Sequence, residues 1–285
     1  MTPMTAGDDF GRRNTGRAAA LERLETETAS RLRRTERTLL FLDFDGTLVP
    51  IDADPAVPRL DEQMSATLRS LAALESMVTT IISGRAVEDL YGRVRLDDLI
   101  YAGNHGLEIF GRNLRFVAPD AAAAREPLAR LCEDLTQALQ PYPGAQVEFK
   151  GLTAAVHFRR AQEADLLAIE DEVRAAVSRS GGLFRLKLGR KVFEIMPRSG
   201  WHKGVAVQWI RRHLAVDSQR VLPIYLGDDS SDEEAFSVMP DGITVKVGLS
   251  PATLAGHELP DPSAVHEYLL WLSTQRSTRT SGAEK

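Results

Sequence analysis

Cysteine, long apolar runs and basic clusters are what this sequence has least of. Its single cysteine, Cys132, cannot form an internal disulfide, and the leucines around it predict a small core residue on a helix. No stretch approaches the roughly 18 consecutive apolar residues of a membrane span, and the N-terminus, with Asp8 and Asp9, is not typical of a secretory signal. A net charge of −5 without a basic stripe argues against nucleic-acid binding. We therefore expect a cytoplasmic protein that binds neither membranes nor nucleic acids.

The most informative segment is an apolar strand that ends in two carboxylates. Residues 38–42 are typical of a strand buried on both faces of a parallel sheet, and Asp43 and Asp45 follow them. Ligands bind open α/β sheets beyond the carboxyl ends of the strands, so both acids lie where chemistry is expected. Taken alone, a hairpin turn at Asp45-Gly46 explains the pair equally well. A calcium loop does not fit, because its last ligand would be Asp52 rather than a glutamate.

Three later motifs distinguish between a turn and a functional site. They place polar groups after two further apolar runs and at a helix start: Ser83-Gly84-Arg85 after 78–82, Lys203, and the acidic cluster 228–234 after 221–226. Each motif alone is explained by a turn, a solvated lysine or a helix cap. Together and in this order they favour phosphoryl transfer through a covalent aspartyl intermediate.

These four motifs resemble those of the haloacid dehalogenase superfamily of phosphotransferases, and physical chemistry suggests a role for each. A phosphate monoester is a dianion, so a carboxylate nucleophile approaches it only when a divalent cation cancels the repulsion. Asp43 is the candidate nucleophile. Asp45 is the candidate general acid and base, which protonates the leaving oxygen and then deprotonates water. We expect Ser83 to hydrogen-bond a phosphoryl oxygen and Lys203 to neutralise negative charge.

Magnesium is the implied cofactor, because it prefers hard carboxylate oxygens. The expected ligands are the acids of the first and last motifs: Asp43, Asp45, Asp228, Asp229 and Asp232. For Asp45, the resemblance implies that the ligand is the backbone carbonyl. Whether Asp229 or Asp232 accompanies Asp228 stays open at this point. Gly46 and Thr47 are expected to shape the turn that lets both acids of the first motif face one phosphate.

The spacing of the motifs predicts an inserted domain. More than a hundred residues separate Arg85 from Lys203, far more than one crossover helix needs. We expect an α/β core, a Rossmann-like doubly wound parallel sheet, with a smaller α+β cap of order αββαββ. Residues 1–35 are expected to be an extension that is partly disordered or helical, and residues 273–285 a disordered tail. Between them, the core consists of residues 36–113 and 195–272, and the cap consists of residues 114–194.

The predicted cap strands alternate between apolar and charged residues, which gives the sheet one face of each kind. The charged face carries Glu148, Lys150, His157 and Arg159. A solvated outer face is the commonest cause of this pattern. A cap that closes over the phosphate would instead present this face to the rest of the substrate.

The cap region also resembles trehalose-6-phosphate phosphatases. Five blocks within about residues 36–270 are similar to that family: 43–51, 101–109, 147–159, 189–197 and 227–236. With the motif residues, the resemblance implies these substrate-binding residues: Thr47, Gly84, Arg85, Asn104, His105, Glu148, Lys150, His157, Arg159, Arg190, Lys191 and Glu194. Because Arg190 and Lys191 are adjacent, the assignment there stays open by one residue.

The resemblance implies magnesium-dependent hydrolysis of trehalose 6-phosphate to trehalose and phosphate, with trehalose-6-phosphate synthase as a partner to test. Three alternatives remain, because a fold alone does not choose a substrate. The chain is a phosphatase for another sugar phosphate, such as sucrose 6-phosphate or mannosyl-3-phosphoglycerate, or a phosphomutase, or a non-catalytic regulatory subunit of trehalose synthesis. The last ranks lowest, since every catalytic position holds the required residue.

Overall fold

Strands and helices alternate along most of the chain. The computed structural model describes residues 6–52, 54, 56–189, 191–214 and 220–280. The strands are β1 Arg37–Asp43, β2 Met77–Ile82, β3 Ile100–Gly103, β4 Glu108–Gly111, β5 Leu114–Val117, β6 Gln146–Phe149, β7 Ala154–His157, β8 Phe184–Gly189, β9 Val192–Pro197, β10 Val221–Gly227, β11 Ile243–Val247 and β12 His257–Leu259. The helices are α1 Ala6–Leu32, α2 Glu62–Ala72, α3 Val87–Val94, α4 Pro119–Ala138, α5 Leu166–Arg179, α6 Lys203–His213, α7 Asp232–Ser237 and α8 Pro262–Thr280.

The larger sheet has eight strands in the order β12-β11-β10-β1-β2-β3-β4-β5. The six strands from β12 to β3 in this order are parallel, and β4 and β5 add an antiparallel hairpin at one edge. Alternate residues of β1 belong to two hydrophobic clusters, with Leu40 and Leu42 on one face and Leu39 and Phe41 on the other. A strand covered on both faces explains the uninterrupted apolar run in the sequence. The predicted doubly wound α/β core is confirmed.

The smaller sheet has four antiparallel strands in the order β6-β7-β9-β8. Helices α4 and α5 cover one face through a cluster that includes Leu128, Val173, Phe193 and Ile195. The predicted core residue Cys132 is buried in the same cluster. These elements follow the predicted order αββαββ, and the uncovered face of the sheet carries the charged residues.

The strand pairing shifts two of the expected boundaries. The sequence assigns 114–117 to the cap, but β5 pairs with β4 in the larger sheet because the positive φ angles of Arg112 and Asn113 form a tight hairpin turn. It also assigns 195–197 to the core, whereas β9 stays paired in the smaller sheet as far as Pro197. The division into a core domain and a cap domain itself stays a prediction.

Both ends of the described chain are helical, and the sequence predicts a helix as an alternative only at the N-terminal end. Three leucines of α1 pack into the core of the larger sheet: Leu21, Leu24 and Leu32. At the other end, α8 continues from 273 to Thr280, where we expected disorder, because buried Leu269 and Leu272 anchor it. Residues 1–5 and 281–285 lie outside the described residues. No helix in the described part of the chain has the length and apolar character of a membrane span.

The packing of α1 predicts that this helix is part of the folded core. Leu24 is fully buried, so Leu24→Ala is expected to lower the free energy of unfolding by about 2–5 kcal/mol. The matched control is Leu167→Ala, at a leucine that is 78% exposed, for which we expect a change within about 0.5 kcal/mol. Urea denaturation measures both. Equal stability of the two variants would show that α1 does not pack on the core.

Candidate active site

Three neighbouring strands bring the polar motifs to one edge of the larger sheet. Strands β10, β1 and β2 are adjacent and parallel, so their carboxyl ends meet. Asp43 is the last residue of β1, Ser83 follows β2, and Asp228 follows β10. The chain leaves β1 towards β2 and β3 and later returns on the other side through β10. The gap between β1 and β10 is therefore the switch point at which open α/β sheets bind ligands.

The buried ammonium group of Lys203 links two of the acids. Lys203 is the first residue of α6 and is 1% exposed. Its Nζ donates to Asp43 Oδ1 at 2.7 Å and to Asp232 Oδ1 at 2.8 Å, and the Tyr225 hydroxyl donates to the same Asp232 oxygen at 2.7 Å. Burial opposes protonation of Lys203, but the charges of Asp232 and Asp43 outweigh it and raise its pKa well above the ordinary value. Lys203 is therefore a fixed positive charge.

The acids around this lysine fit a divalent cation. Asp43, Asp228 and Asp232 each place a carboxylate oxygen within 4.8 Å of the others. Asp43 Oδ2 is buried and has no hydrogen-bond partner among the described residues. Burial, with the charges of Asp232 and Asp229, raises the pKa of Asp228 to about 7, and burial likewise raises that of Asp43. Lys203 contacts only Asp43 and Asp232 of these three acids, and the charge of Lys246 near Asp228 does not keep the pKa of Asp228 low. Hard oxygens in such an acidic cluster suit a cation such as Mg²⁺.

Asp229 has a different environment from the other acids of its motif. Its Oδ1 accepts hydrogen bonds from the Ser231 backbone N–H at 2.7 Å and the Ser231 hydroxyl at 2.6 Å. Burial favours its neutral form, but the Lys203 charge and the bonds from Ser231 outweigh burial and lower its pKa. The sequence leaves open whether Asp229 or Asp232 accompanies Asp228 as a metal ligand. Asp232 belongs to the cluster of close carboxylate oxygens, whereas Asp229 hydrogen-bonds within the turn that leads into α7.

Two motif glycines allow the functional groups to approach closely. Gly46 has a φ of +91°, and a Cβ there would lie 2.2 Å from Asp228 Oδ2. A Cβ on Gly84 would lie 2.8 Å from the His105 ring. Thr47, next to Gly46, is buried with its hydroxyl unpaired and does not line the cleft. The Gly-Thr turn therefore packs the first motif against the last one.

Arg85 contacts Asp45, the residue that is predicted from the sequence to be the general acid and base. The guanidinium group donates from Nε to Asp45 Oδ2 at 2.6 Å and from Nη2 to Oδ1 at 2.7 Å. Such a two-point contact is the strongest kind of arginine–carboxylate pair. Nη1 also donates to Asp89 at 3.0 Å. Both carboxylate oxygens of Asp45 therefore accept a hydrogen bond from Arg85.

The charged face of the smaller sheet lies across the cleft from these acids. Glu194 Oε1 is 3.2 Å from His105 Nε2, and Glu148 Oε2 is 2.7 Å from His157 Nε2 and 3.9 Å from Lys150 Nζ. Burial opposes ionisation of Glu194, but His105 and Lys150 outweigh it and lower its pKa to about 2. The cleft between the two sheets has a volume of about 290 Å³.

Most of the residues predicted from the sequence line this one cleft: Asp43, Asp45, Ser83, Gly84, Arg85, His105, Glu148, Lys150, His157, Arg159, Lys191, Glu194, Lys203, Asp228 and Asp229. Asp232 is buried beneath it, and Asn104 is buried beside it. Arg190 lies outside the described residues.

Sequence reasoning missed several residues that line the cleft. Asp54 and Arg160 both line it, and Arg160 Nη2 lies 3.1 Å from Asp54 Oδ2, which joins the smaller sheet to the loop after β1. Gln146 in β6 lines it as well. The available signals were weak, namely that Asp54 follows the first motif and that Gln146 and Arg160 flank the charged strands.

The fold is similar to that of haloacid dehalogenase-like hydrolases. One such hydrolase from Bacteroides thetaiotaomicron superposes with a TM-score of 0.58 at 16% identity, covering 83% of this chain and 99% of that one. The chain belongs to the trehalose-phosphatase family, whose sequence model matches residues 41–256. It is therefore a phosphoric monoester hydrolase.

Individual relatives agree with this family. A trehalose 6-phosphate phosphatase of Zea mays is 36% identical over 262 residues, covering 86% of this chain and 72% of the relative. A protein of Arabidopsis thaliana named "Probable trehalose-phosphate phosphatase H" is 34% identical, with 87% and 75% covered. The C-terminal domain of a Candida albicans trehalose-6-phosphate phosphatase has the same fold, with a TM-score of 0.74 at 21% identity and 88% and 97% covered.

The acidic cluster predicts that protons and a divalent cation compete for it. With a pKa of about 7, Asp228 is protonated below pH 7, and a cation must displace that proton. Excess Mg²⁺ is therefore expected to raise the melting temperature more at pH 8 than at pH 6, with the apparent affinity falling up to about tenfold per pH unit for each displaced proton. Scanning calorimetry with Mg²⁺ or with EDTA measures the shift.

The raised pKa of Asp228 also predicts how the stability of the protein depends on pH when EDTA removes metal ions. A carboxyl group whose pKa is raised by folding binds more protons when folded, so its contribution to stability falls as the pH rises from about 4 through 7. Asp228→Asn is the control, because it removes this titration and is expected to abolish most of the Mg²⁺ effect. A Mg²⁺ shift of equal size at both pH values would contradict the assignment of the cluster.

Proposed function

We propose that this protein hydrolyses trehalose 6-phosphate to trehalose and inorganic phosphate. The observation that carries the proposal is the division of one cleft into two unlike walls. The larger sheet contributes Lys203, Ser83 and the acids, which suit a phosphate group, and the smaller sheet contributes charged groups that suit sugar hydroxyls. The relatives above, whose names state this activity, support the choice of sugar.

Asp43 is the proposed nucleophile. Lys203 donates to its Oδ1, and its Oδ2 has no hydrogen-bond partner in the part of the chain that the structure describes. In the first step a carboxylate oxygen of Asp43 forms a bond to phosphorus while the bond from phosphorus to the sugar oxygen breaks. In the second step water attacks the phosphorus of the aspartyl phosphate, which restores the Asp43 carboxylate and releases phosphate.

Asp45 is the proposed proton carrier for both steps. It gives a proton to the leaving sugar oxygen and then takes one from the attacking water. Because Arg85 occupies both Asp45 oxygens, we infer that the entering phosphate draws Arg85 away and frees Asp45. Ser83 Oγ accepts from the Arg85 backbone N–H at 3.2 Å, which leaves the hydroxyl proton for a phosphoryl oxygen.

Mg²⁺ is the proposed cofactor, held by Asp43, Asp228 and Asp232. Their close oxygens and the unpaired Asp43 Oδ2 support a cation at this point. When bound, it would cancel part of the negative charge that otherwise keeps a phosphate dianion away from Asp43. The backbone carbonyl of Asp45 as a further ligand stays a prediction, as do a cytoplasmic location and an association with trehalose-6-phosphate synthase.

Phosphate release from a panel of substrates tests the function. The panel contains trehalose 6-phosphate, sucrose 6-phosphate, glucose 6-phosphate and an aryl phosphate, each with Mg²⁺ and with EDTA. We expect a strong Mg²⁺-dependent preference for trehalose 6-phosphate and no turnover by Asp43→Asn. Broad activity would keep the chemistry and reject the substrate. An absence of activity on every member would favour a regulatory role.

The charged wall of the smaller sheet predicts a variant that separates sugar recognition from chemistry. Glu148→Gln removes a charge beside His157 and Lys150 but leaves the acids around Lys203 unchanged. We expect kcat/KM to fall about tenfold or more for trehalose 6-phosphate and less than twofold for the aryl phosphate. Glu126→Gln is the matched control, because Glu126 is exposed on α4, where its carboxylate pairs with Arg130. Equal losses on both substrates would mean that Glu148 does not recognise the sugar.

A further inference from the structure

Asn104 has a buried position that a sugar-binding residue does not need. It opens a 3₁₀ turn, Asn104–Gly106, that follows β3, and its side chain is fully buried beside the cleft rather than lining it. Asn104 and His105 have φ angles of +50° and +58°, a left-handed conformation that non-glycine residues rarely adopt. Consecutive residues in this region persist only where their surroundings hold them there.

The Asn104 side chain hydrogen-bonds groups from both sheets. Its Nδ2 donates to Glu108 Oε1 in β4 at 2.7 Å and to the backbone carbonyl of Lys150 at 3.1 Å. Its Oδ1 accepts from the Thr153 hydroxyl at 2.5 Å. Lys150 and Thr153 form the turn between β6 and β7, which a hydrogen bond from Lys150 N to Thr153 O closes. One amide group thus fixes the end of the β6–β7 hairpin against the larger sheet.

The backbone of the same turn holds the phosphate-facing loop after β2. Asn104 N donates to the carbonyl of Arg85 at 2.6 Å, and His105 N donates to that of Ser83 at 2.8 Å. Glu108 Oε1 also accepts from Val87 N, the first residue of α3, at 2.8 Å. A continuous series of hydrogen bonds therefore runs from the β6–β7 turn through Asn104 to the loop 83–85.

We propose that Thr153 and Asn104 are a pair of positioning residues that hold the sugar-recognising hairpin in register with the phosphate-binding loop. This inference rests on the proposed function. Neither side chain touches the cleft, so the pair acts through Lys150 and Glu148 on one side and through Ser83 and Arg85 on the other. The pair matters only for a substrate that contacts both walls, because a small phosphate ester needs the loop alone.

The chain offers a matched set of variants for a test. Thr153→Val keeps the shape of the side chain and removes the hydroxyl, which leaves Asn104 Oδ1 buried without a donor. Thr153→Ser restores the hydroxyl and is the rescue variant. Thr79→Val is the control, because Thr79 in β2 is equally buried and its hydroxyl has no partner. Any general effect of removing a buried hydroxyl appears in the control as well.

Steady-state kinetics with two substrates give the first readout. We expect Thr153→Val to lower kcat/KM for trehalose 6-phosphate about tenfold or more and for an aryl phosphate less than twofold. Thr153→Ser is expected to recover to within about threefold of the wild type, and Thr79→Val to match the wild type on both substrates. Equal losses on both substrates, or no loss on either, would overturn the proposal.

A distance measurement gives a second readout that does not depend on turnover. Spin labels at Leu167→Cys on α5 and Leu270→Cys on α8, both at exposed positions, report the separation of the two parts of the molecule. The distance distribution is expected to widen in Thr153→Val and to narrow again in Thr153→Ser. If the wild type does not hydrolyse trehalose 6-phosphate, the proposed function fails. The distance measurement still shows whether the hydrogen bond between Thr153 and Asn104 holds the two sheets in place. An unchanged distribution in Thr153→Val would overturn the positioning role even if the wild type is active.

Discussion

The contact of one buried ammonium group with two buried carboxylates is the interaction on which this site depends. Lys203 Nζ lies between Asp43 and Asp232 and is closed off from solvent. Two unit charges about 4 Å apart interact by about 4 kcal/mol at an effective dielectric constant of 20, so three clustered acids repel one another strongly. Loss of one partner from a buried ion pair typically costs about 3–5 kcal/mol. Lys203 offsets only part of this repulsion, and the remainder is what makes the cluster suitable for a cation.

The parallel sheet brings the other polar residues of the site together, and only short motifs are needed for this. Because β10, β1 and β2 end at the same edge, three short motifs far apart in the chain meet without long supporting loops. The insertion between β5 and α6 then adds a second sheet whose charged face closes the other side of the cleft. In the proposed function, the chemistry and the recognition of the sugar belong to different parts of the chain, which allows one to change without the other.

The order of buried strands and polar ends was sufficient to predict the parallel core sheet and the αββαββ order, and with the family resemblance, which contributed His105, Lys191 and Glu194, it predicted most of the residues lining the cleft. This order does not predict the contacts between side chains that are distant in the sequence. The pairing of Arg85 with Asp45 and the position of Asp232, rather than Asp229, beside Asp43 and Asp228 depend on side-chain directions that neighbouring residues do not fix. The hairpin 108–117 joins the larger sheet because of a turn with two positive φ angles at non-glycine residues, which turn propensities do not favour. Asn104 was expected in the sugar pocket, and its burial follows from partners up to 49 positions away.

Every other role proposed for this site depends on the transfer of the phosphoryl group from trehalose 6-phosphate to Asp43. The most direct measurement mixes the protein and Mg²⁺ with ³²P-labelled trehalose 6-phosphate, quenches in acid within milliseconds and maps the labelled peptide. We expect transient label on the peptide that contains Asp43, lost on treatment with hydroxylamine, and no label in Asp43→Asn. Release of labelled phosphate with no protein-bound label at any time, or label on another residue, would contradict this transfer.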